Sequence, residues 1–218
     1  MLNKEDLNII NHKSLRKEVY LFSKRILDVI VASLGLVVLA PIFLILAVLV
    51  KIDSKGPVFF AHTRIGKNGK KFKMYKFRTM YENAQEMIKE FTPEQMAEWK
   101  ENYKLKDDPR ITKIGKILRK TSLDELPQII NIIKGDISII GPRPVIGEEL
   151  EKYGENKNKF LSERPGLTGY WAANGRSDTT YEERMEMELY YIDNISFKTD
   201  FKIFFKTIIS VLKREGAE

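Results

Sequence analysis

Hydrophobic and polar positions are spread unevenly along this chain. From Val29 to Val50 there are 22 residues without one charge, VIVASLGLVVLAPIFLILAVLV. A helix needs roughly 20 such residues to cross the hydrocarbon core of a bilayer. The run starts too far from the N-terminus, and is too long, for the roughly 7–15 apolar residues of a signal peptide. Pro41 interrupts its middle, with no N–H and a ring that clashes with the carbonyl of Val37. Elsewhere the pattern changes period. Val58–Thr63 and Phe72–Phe77 read as two strands, and Asn68-Gly69 between them suits a hairpin turn. Residues 81–106 read as helical, with Thr92 as N-cap, Pro93 at the first helical position and Gln95 completing a capping box. In that stretch Phe91, Met96, Trp99 and Tyr103 read as packing residues. The tail from Ser196 to Arg214 places Phe197, Phe201, Phe204, Phe205, Ile208 and Leu212 at helical spacing, beside Lys198, Lys202, Lys206 and Lys213. Such a basic amphipathic helix suits a membrane surface or, equally, a core with a solvated lysine edge.

The fold class expected is α/β, mostly α. It divides into a charged lead-in at 1–20, a membrane segment at 21–55 and a remainder at 56–218 that holds the candidate chemistry. Charge decides how the apolar segment is read. Lys13, Arg16, Lys17, Lys24 and Arg25 precede it, and Lys51, Lys55, Arg64, Lys67, Lys70, Lys71, Lys73, Lys76 and Arg78 follow it. Basic residues near a membrane favour the cytoplasmic side, and here both flanks carry them. A bend at Pro41 would return the chain to the face it entered from, as a re-entrant hairpin. A kinked spanning helix is the alternative, because membrane helices tolerate proline.

The whole chain carries 37 Lys and Arg against 30 Asp and Glu, a net charge of +7. That suits an anionic partner: nucleic acid, acidic lipid or a phosphorylated substrate. Charge alone does not choose, but a nucleic-acid binder gives no reason for the apolar run. There is no cysteine, which excludes disulfides, thiolate catalysis and zinc sites built on Cys. With His12 and His62 as the two histidines, a metal would be a hard, oxygen-liking ion such as Mg²⁺.

Candidate chemistry concentrates between Leu118 and Val145, LRKTSLDELPQIINIIKGDISIIGPRPV. Asp124-Glu125 precedes a short apolar helix, about Leu126 to Lys134, closed by Gly135. Two readings fit. Asp124 caps that helix and Glu125 favours its positive end. Alternatively, a carboxylate in that field stays ionised and acts as a nucleophile, or the pair holds Mg²⁺ against a diphosphate. Arg119 and Arg143 flank the pair, and arginine suits bidentate phosphate contact. Gly141-Pro142-Arg143-Pro144 is a stiff turn, in which Pro142 and Pro144 fix the backbone carrying Arg143.

This run resembles the signature of the bacterial sugar transferases, the monotopic phosphoglycosyl transferase superfamily. Lys24-Arg25-Ile26-Leu27-Asp28, Gly56-Pro57-Val58-Phe59-Phe60, Tyr75-Lys76-Phe77-Arg78-Thr79-Met80, Asp108-Pro109-Arg110-Ile111-Thr112, Arg164-Pro165-Gly166-Leu167-Thr168-Gly169 and Asn174-Gly175-Arg176 extend the resemblance in order, over about residues 20–213. The resemblance implies transfer of a sugar-1-phosphate from a UDP-sugar, glucose or galactose first, to polyprenyl phosphate, typically undecaprenyl phosphate. It implies Asp124 as the nucleophile forming a phospho-aspartate, Glu125 as its partner, and Mg²⁺ held by both. It further implies Lys76, Arg78, Arg119, Arg143 and Arg176 at the phosphates, and Lys24, Arg25, Asp28 and Pro41 at the membrane hairpin. The location implied is the cytoplasmic face of a bacterial membrane, among its lipids, in exopolysaccharide or capsule biosynthesis. No nucleic acid is expected, and self-association is left open. The chain departs from the family at Ala40, where a serine often precedes the proline. It departs again at Ala172-Ala173 and at Glu188, where Gln-Val and Asp are common. It resembles the catalytic part of the family's larger members, without their extra N-terminal helices.

Overall fold

A computed structural model describes residues 4–102, 105–175 and 179–213 of the 218. The chain is mostly helical, with two two-stranded sheets. It opens with one long helix, α1 (Lys4–Asp53), with Pro41 inside it. Its stretch from Leu15 to Asp53 is long and apolar enough to cross a membrane, and only 11% of its most apolar window is buried by protein. Helical backbone runs through Pro41. Proline removes its own hydrogen bond to the Val37 carbonyl, and the helix continues on its neighbours' bonds.

The hairpin forms as the pattern predicts. Strands β1 (Phe59–Ile65) and β2 (Lys71–Phe77) pair across a tight turn. Asn68 and Gly69 take left-handed conformations there, with φ of 56° and 76°, the backbone that asparagine and glycine accept at least cost. The expected helix over 81–106 is shorter. Among its described residues, α2 (Pro93–Asn102) is the α-helical part, and Glu86–Glu90 is a 3₁₀ turn. Its start is the expected capping box: Thr92 N–H donates to Gln95 Oε1 at 3.0 Å, and Gln95 N–H to Thr92 Oγ1 at 3.2 Å. Before it, local turn bonds such as Glu86 N–H to the Asn83 carbonyl at 2.9 Å alternate with tertiary ones at the start of the stretch. Met80 bridges to Ile111, and Tyr81 N–H donates to the Arg110 carbonyl at 2.9 Å.

Further elements are α3 (Lys113–Lys120), α4 (Gln128–Lys134), β3 (Ser138–Ile140), α5 (Gly147–Glu151), α6 (Lys157–Leu161), β4 (Gly166–Thr168), α7 (Tyr170–Asn174), α8 (Tyr181–Asp193) and α9 (Phe197–Lys213). Gly135, at φ 85°, closes α4 as its position in the sequence predicts. These elements form two compact units. The first draws on residues 4–37, 63–74 and the described residues from 129 to 213; the second draws on residues 38–62 and the described residues of 75–128.

In the first unit, β3 and β4 run parallel, with Ser138 opposite Gly166 and Ile140 opposite Thr168. Its core gathers Ile140, Val145, Tyr153, Phe160, Ala173, Tyr191, Ile192 and Ile203. The start of α1 is fastened here by polar groups. Arg25 donates to the carbonyls of Ile132 and Ile133 at 2.6 and 2.9 Å, capping the C-terminus of α4. Asp28 accepts from Ser138 Oγ at 2.7 Å and Ile139 N–H at 3.1 Å. Asp200, buried on α9, accepts from Tyr20 at 2.7 Å, Lys24 at 2.5 Å and Tyr191 at 2.8 Å. So Lys24, Arg25 and Asp28 are bonded to protein groups. On helix α9, Ile203 packs into the core, while Phe201, Phe204, Phe205, Ile208 and Ile209 are exposed.

In the second unit, Leu46 and Val50 of α1 pack with Phe77 and Leu118, supported by Phe43, Val58, Ile114, Leu123 and Leu126. Phe77 stacks on Phe59 with ring centroids 5.3 Å apart.

Candidate active site

Three short elements of the second unit deliver its charged side chains. Strand β2 ends in Lys76 and Phe77, followed directly by Arg78, with Phe77 in the core. Helix α3 starts at Thr112, whose hydroxyl accepts from Gly115 N–H at 2.9 Å. Asp53 caps the same turn by accepting from Ile114 N–H at 2.9 Å. Gly115 lies against the Thr79 carbonyl, where a Cβ would collide with backbone. That close approach lets Arg119 reach Thr79 Oγ1 with its Nε, at 2.9 Å.

Beyond α3, Ser122 adopts a left-handed φ of 56° and turns the chain into a 3₁₀ turn, Leu123–Glu125. Leu123 and Leu126 face the core, and Asp124 is carried inward to 7% exposure. Among the described residues its carboxylate caps no helix; it accepts from Lys76 Nζ at 3.2 Å. The same ammonium donates to Glu125 Oε1 at 2.7 Å. Burial pushes the Asp124 carboxyl above the usual aspartate range. The charge of Lys76 opposes that, Glu125 adds to it, and Arg119 opposes it more weakly. No helix end figures among the influences on this carboxylate. Burial is the dominant influence, and a lysine is the counter-charge.

Of the residues expected at the phosphates, this unit brings Lys76 and Arg119 to Asp124 and Glu125. Arg78 is placed otherwise. Its guanidinium is buried and donates to the carbonyls of Lys55, Ser54 and Val50, the last two at 2.8 and 3.4 Å. It therefore satisfies the end of α1, whose last carbonyls lack helical partners. A second pair was not read from the sequence. Arg110 grips Asp108 through Nε at 2.8 Å and Nη2 at 2.6 Å, and lies 5.2 Å from the Phe91 ring centroid. Burial works against the Asp108 charge, but the bonds from Arg110 hold its carboxyl below the usual range. Their spacing in Asp108-Pro109-Arg110 was the available signal.

In the first unit, the turn bearing Arg143 is packed backbone to backbone. A Cβ at Gly141, Gly166 or Gly169 would strike main-chain atoms, which explains the glycines of both motifs. Pro142 is fully buried and its carbonyl accepts from Gly166 N–H at 2.8 Å; Pro144 is buried too. Arg143 is held twice. Its N–H donates to Glu188 Oε1 at 3.0 Å, and its guanidinium lies 5.3 Å from the Trp171 ring centroid. Arg184 lies 5.0 Å from the same centroid and donates to Glu149 at 3.3 Å. Burial pushes the Glu188 carboxyl up to about 7. Glu188 thus anchors the arginine turn, a role its sequence position did not disclose. Arg176 lies outside the described residues.

The donor set at Asp124 and Glu125 suits a hard cation. Two carboxylates with solvent access at Glu125 fit Mg²⁺, which takes one or two carboxylates and completes its shell with phosphate and water. Among the described residues there is no group of three His, Asp or Glu that could hold a metal by itself.

Comparison with known proteins agrees with the motifs. The model of a family described as bacterial sugar transferase matches residues 19–214. The exopolysaccharide production protein ExoY of Sinorhizobium fredii is 48% identical over 198 residues, 89% of this chain and 88% of that protein. An undecaprenyl-phosphate galactose phosphotransferase of Salmonella typhimurium is 42% identical over 207 residues, 94% of this chain and 43% of that protein. A UDP-N-acetylgalactosamine-undecaprenyl-phosphate N-acetylgalactosaminephosphotransferase of Aeromonas hydrophila is 35% identical over 210 residues, 93% of this chain and 47% of that protein. The chain thus spans nearly all of the first relative and under half of the other two.

Proposed function

The chain belongs to the bacterial sugar transferase family, and on that premise we propose that it is an enzyme transferring a sugar-1-phosphate from a UDP-sugar to undecaprenyl phosphate. The observation that carries the reading is the buried Asp124, held by Lys76 and adjoined by Glu125 and Arg119. Burial raises the basicity of this carboxylate, and basicity favours nucleophilic attack once the group is ionised. In the first step an Asp124 oxygen bonds to the sugar-linked phosphorus. The bond from that phosphorus to the bridging oxygen breaks, and UMP leaves with the electron pair. In the second step an oxygen of undecaprenyl phosphate attacks the same phosphorus and Asp124 departs as a carboxylate. The products are UMP and a polyprenyl-diphospho-sugar. Arg119 and Lys76 neutralise the phosphoryl oxygens, and a Mg²⁺ ion held by Asp124 and Glu125 would supply further charge neutralisation.

The relatives named for galactose and for N-acetylgalactosamine set the order of sugars to test. The full-length protein in detergent, given undecaprenyl phosphate, Mg²⁺ and a panel of UDP-sugars, is expected to release UMP from UDP-galactose or UDP-glucose. Absence of UMP from every sugar, the N-acetylated ones included, would sink the reading.

We place the active face on the cytoplasmic side of the membrane. Basic residues crowd both flanks of the apolar run. Little of the apolar stretch of α1 is covered by protein, and the exposed aromatics of α9 stand among Lys198, Lys202 and Lys206. Pro41 leaves the Val37 carbonyl without its helical donor, and we assign the re-entrant bend to that point. No native cysteine competes, so single cysteines at Asn3 and Ala217 report the topology. Both are expected to resist a membrane-impermeant thiol reagent in intact cells. Labelling of just one of them would establish a true span.

A further inference from the structure

The position of Lys76 raises a question about how a divalent cation reaches the dyad. Its ammonium lies 3.2 Å from Asp124 Oδ2 and 2.7 Å from Glu125 Oε1, bridging the carboxylates from which a cation would take its protein ligands. The neighbouring acids of this unit are committed: Asp108 to Arg110, and Asp53 to the start of α3. Two carboxylates leave most of an octahedral Mg²⁺ shell to be filled from elsewhere. A lysine and a divalent ion cannot share this position, because like charges at contact distance repel strongly in a partly buried site. Lys76 can yield. Its side chain is 28% exposed, and a flexible stem lets its ammonium move to a phosphate oxygen.

Resting on the transferase reading, we infer that Lys76 stands in for the divalent cation in the nucleotide-free protein, so that the cation is held only together with the diphosphate of the substrate. Without nucleotide, the ammonium compensates both carboxylates. When the diphosphate binds, its oxygens complete the cation's shell and offer Lys76 a new anionic partner. Charge at the site then stays balanced before and after loading. Binding of cation and of nucleotide becomes mutually reinforcing, as linkage requires.

The test is a Mn²⁺ titration of the full-length protein in detergent, read by the loss of the free-ion electron paramagnetic resonance signal. Wild type without nucleotide is expected to bind Mn²⁺ weakly. Lys76→Met, and independently Lys76→Gln, are expected to bind it tighter by on the order of tenfold or more. Adding Asp124→Asn to Lys76→Met should remove the gain. In wild type, UDP measured by calorimetry should bind tighter with Mn²⁺ than with a chelator. Equal Mn²⁺ affinity in wild type and both Lys76 variants, with thermal unfolding showing all three folded, would overturn the inference. That result, beside normal UMP release by wild type, would leave the transferase reading intact. Absent UMP release would remove that reading, while the Mn²⁺ comparison would still decide the role of Lys76.

Discussion

Replacing Asp124 with Asn is expected to abolish the covalent intermediate and lower turnover by at least about 10³-fold. Asparagine keeps the size of the side chain and one oxygen for Lys76, so the 3₁₀ turn and its packing persist. An amide oxygen is a far poorer nucleophile than a carboxylate. Wild type mixed with its UDP-sugar and no lipid acceptor should release about one equivalent of UMP and stop, as a two-step mechanism demands. Label on the sugar should stay on a peptide containing Asp124. Asp124→Asn should bind the UDP-sugar, release no UMP and hold no label. Because burial raises the Asp124 carboxyl above its ordinary 3.8, the pH dependence has a defined sign. Attack requires the ionised form, so the burst is full above the raised value and is lost as pH falls through it. The loss occurs at higher pH than for an exposed aspartate. Labelled protein from Asp124→Asn, or direct transfer with no labelled wild type on rapid quenching, would refute the covalent route.

Asp200→Ala is expected to cost about 3–5 kcal/mol of stability. Asp200 is 7% exposed and receives Tyr20, Lys24 and Tyr191 on its two oxygens. Alanine takes this acceptor from a partly buried ammonium and from the Tyr20 and Tyr191 hydroxyls, and the penalty comes from those donors. Asp200→Asn keeps an acceptor oxygen but lacks the charge for Lys24, and should fall between. Chemical unfolding in detergent, followed by intrinsic fluorescence, measures the difference. A midpoint for Asp200→Ala matching wild type would show that this network holds nothing together.

Some of this protein could be read directly from its residues, because the interactions involved are local. The apolar run lies within α1, Asn68-Gly69 sets the hairpin turn, Thr92 and Gln95 cap α2, and Gly135 ends α4. Each rests on partners a few residues apart, where backbone geometry leaves little freedom. The Asp124-Glu125 pair and its flanking arginines were also visible, since motif spacing survives without a fold. The tertiary structure decided which charge meets which. Lys76 and Arg78 stand two apart in one motif, yet one joins Asp124 and the other closes α1. Asp124 looked like a cap, but Ser122 turns it inward, and burial then sets its proton affinity. Residues 81–106 carried a helical pattern, but as far as Thr92 they form turns, among them the 3₁₀ turn Glu86–Glu90. Asp200, unremarkable in sequence, gathers donors from α1 and α8. Such outcomes depend on desolvation and on contacts between residues far apart in the chain, quantities that only packing determines.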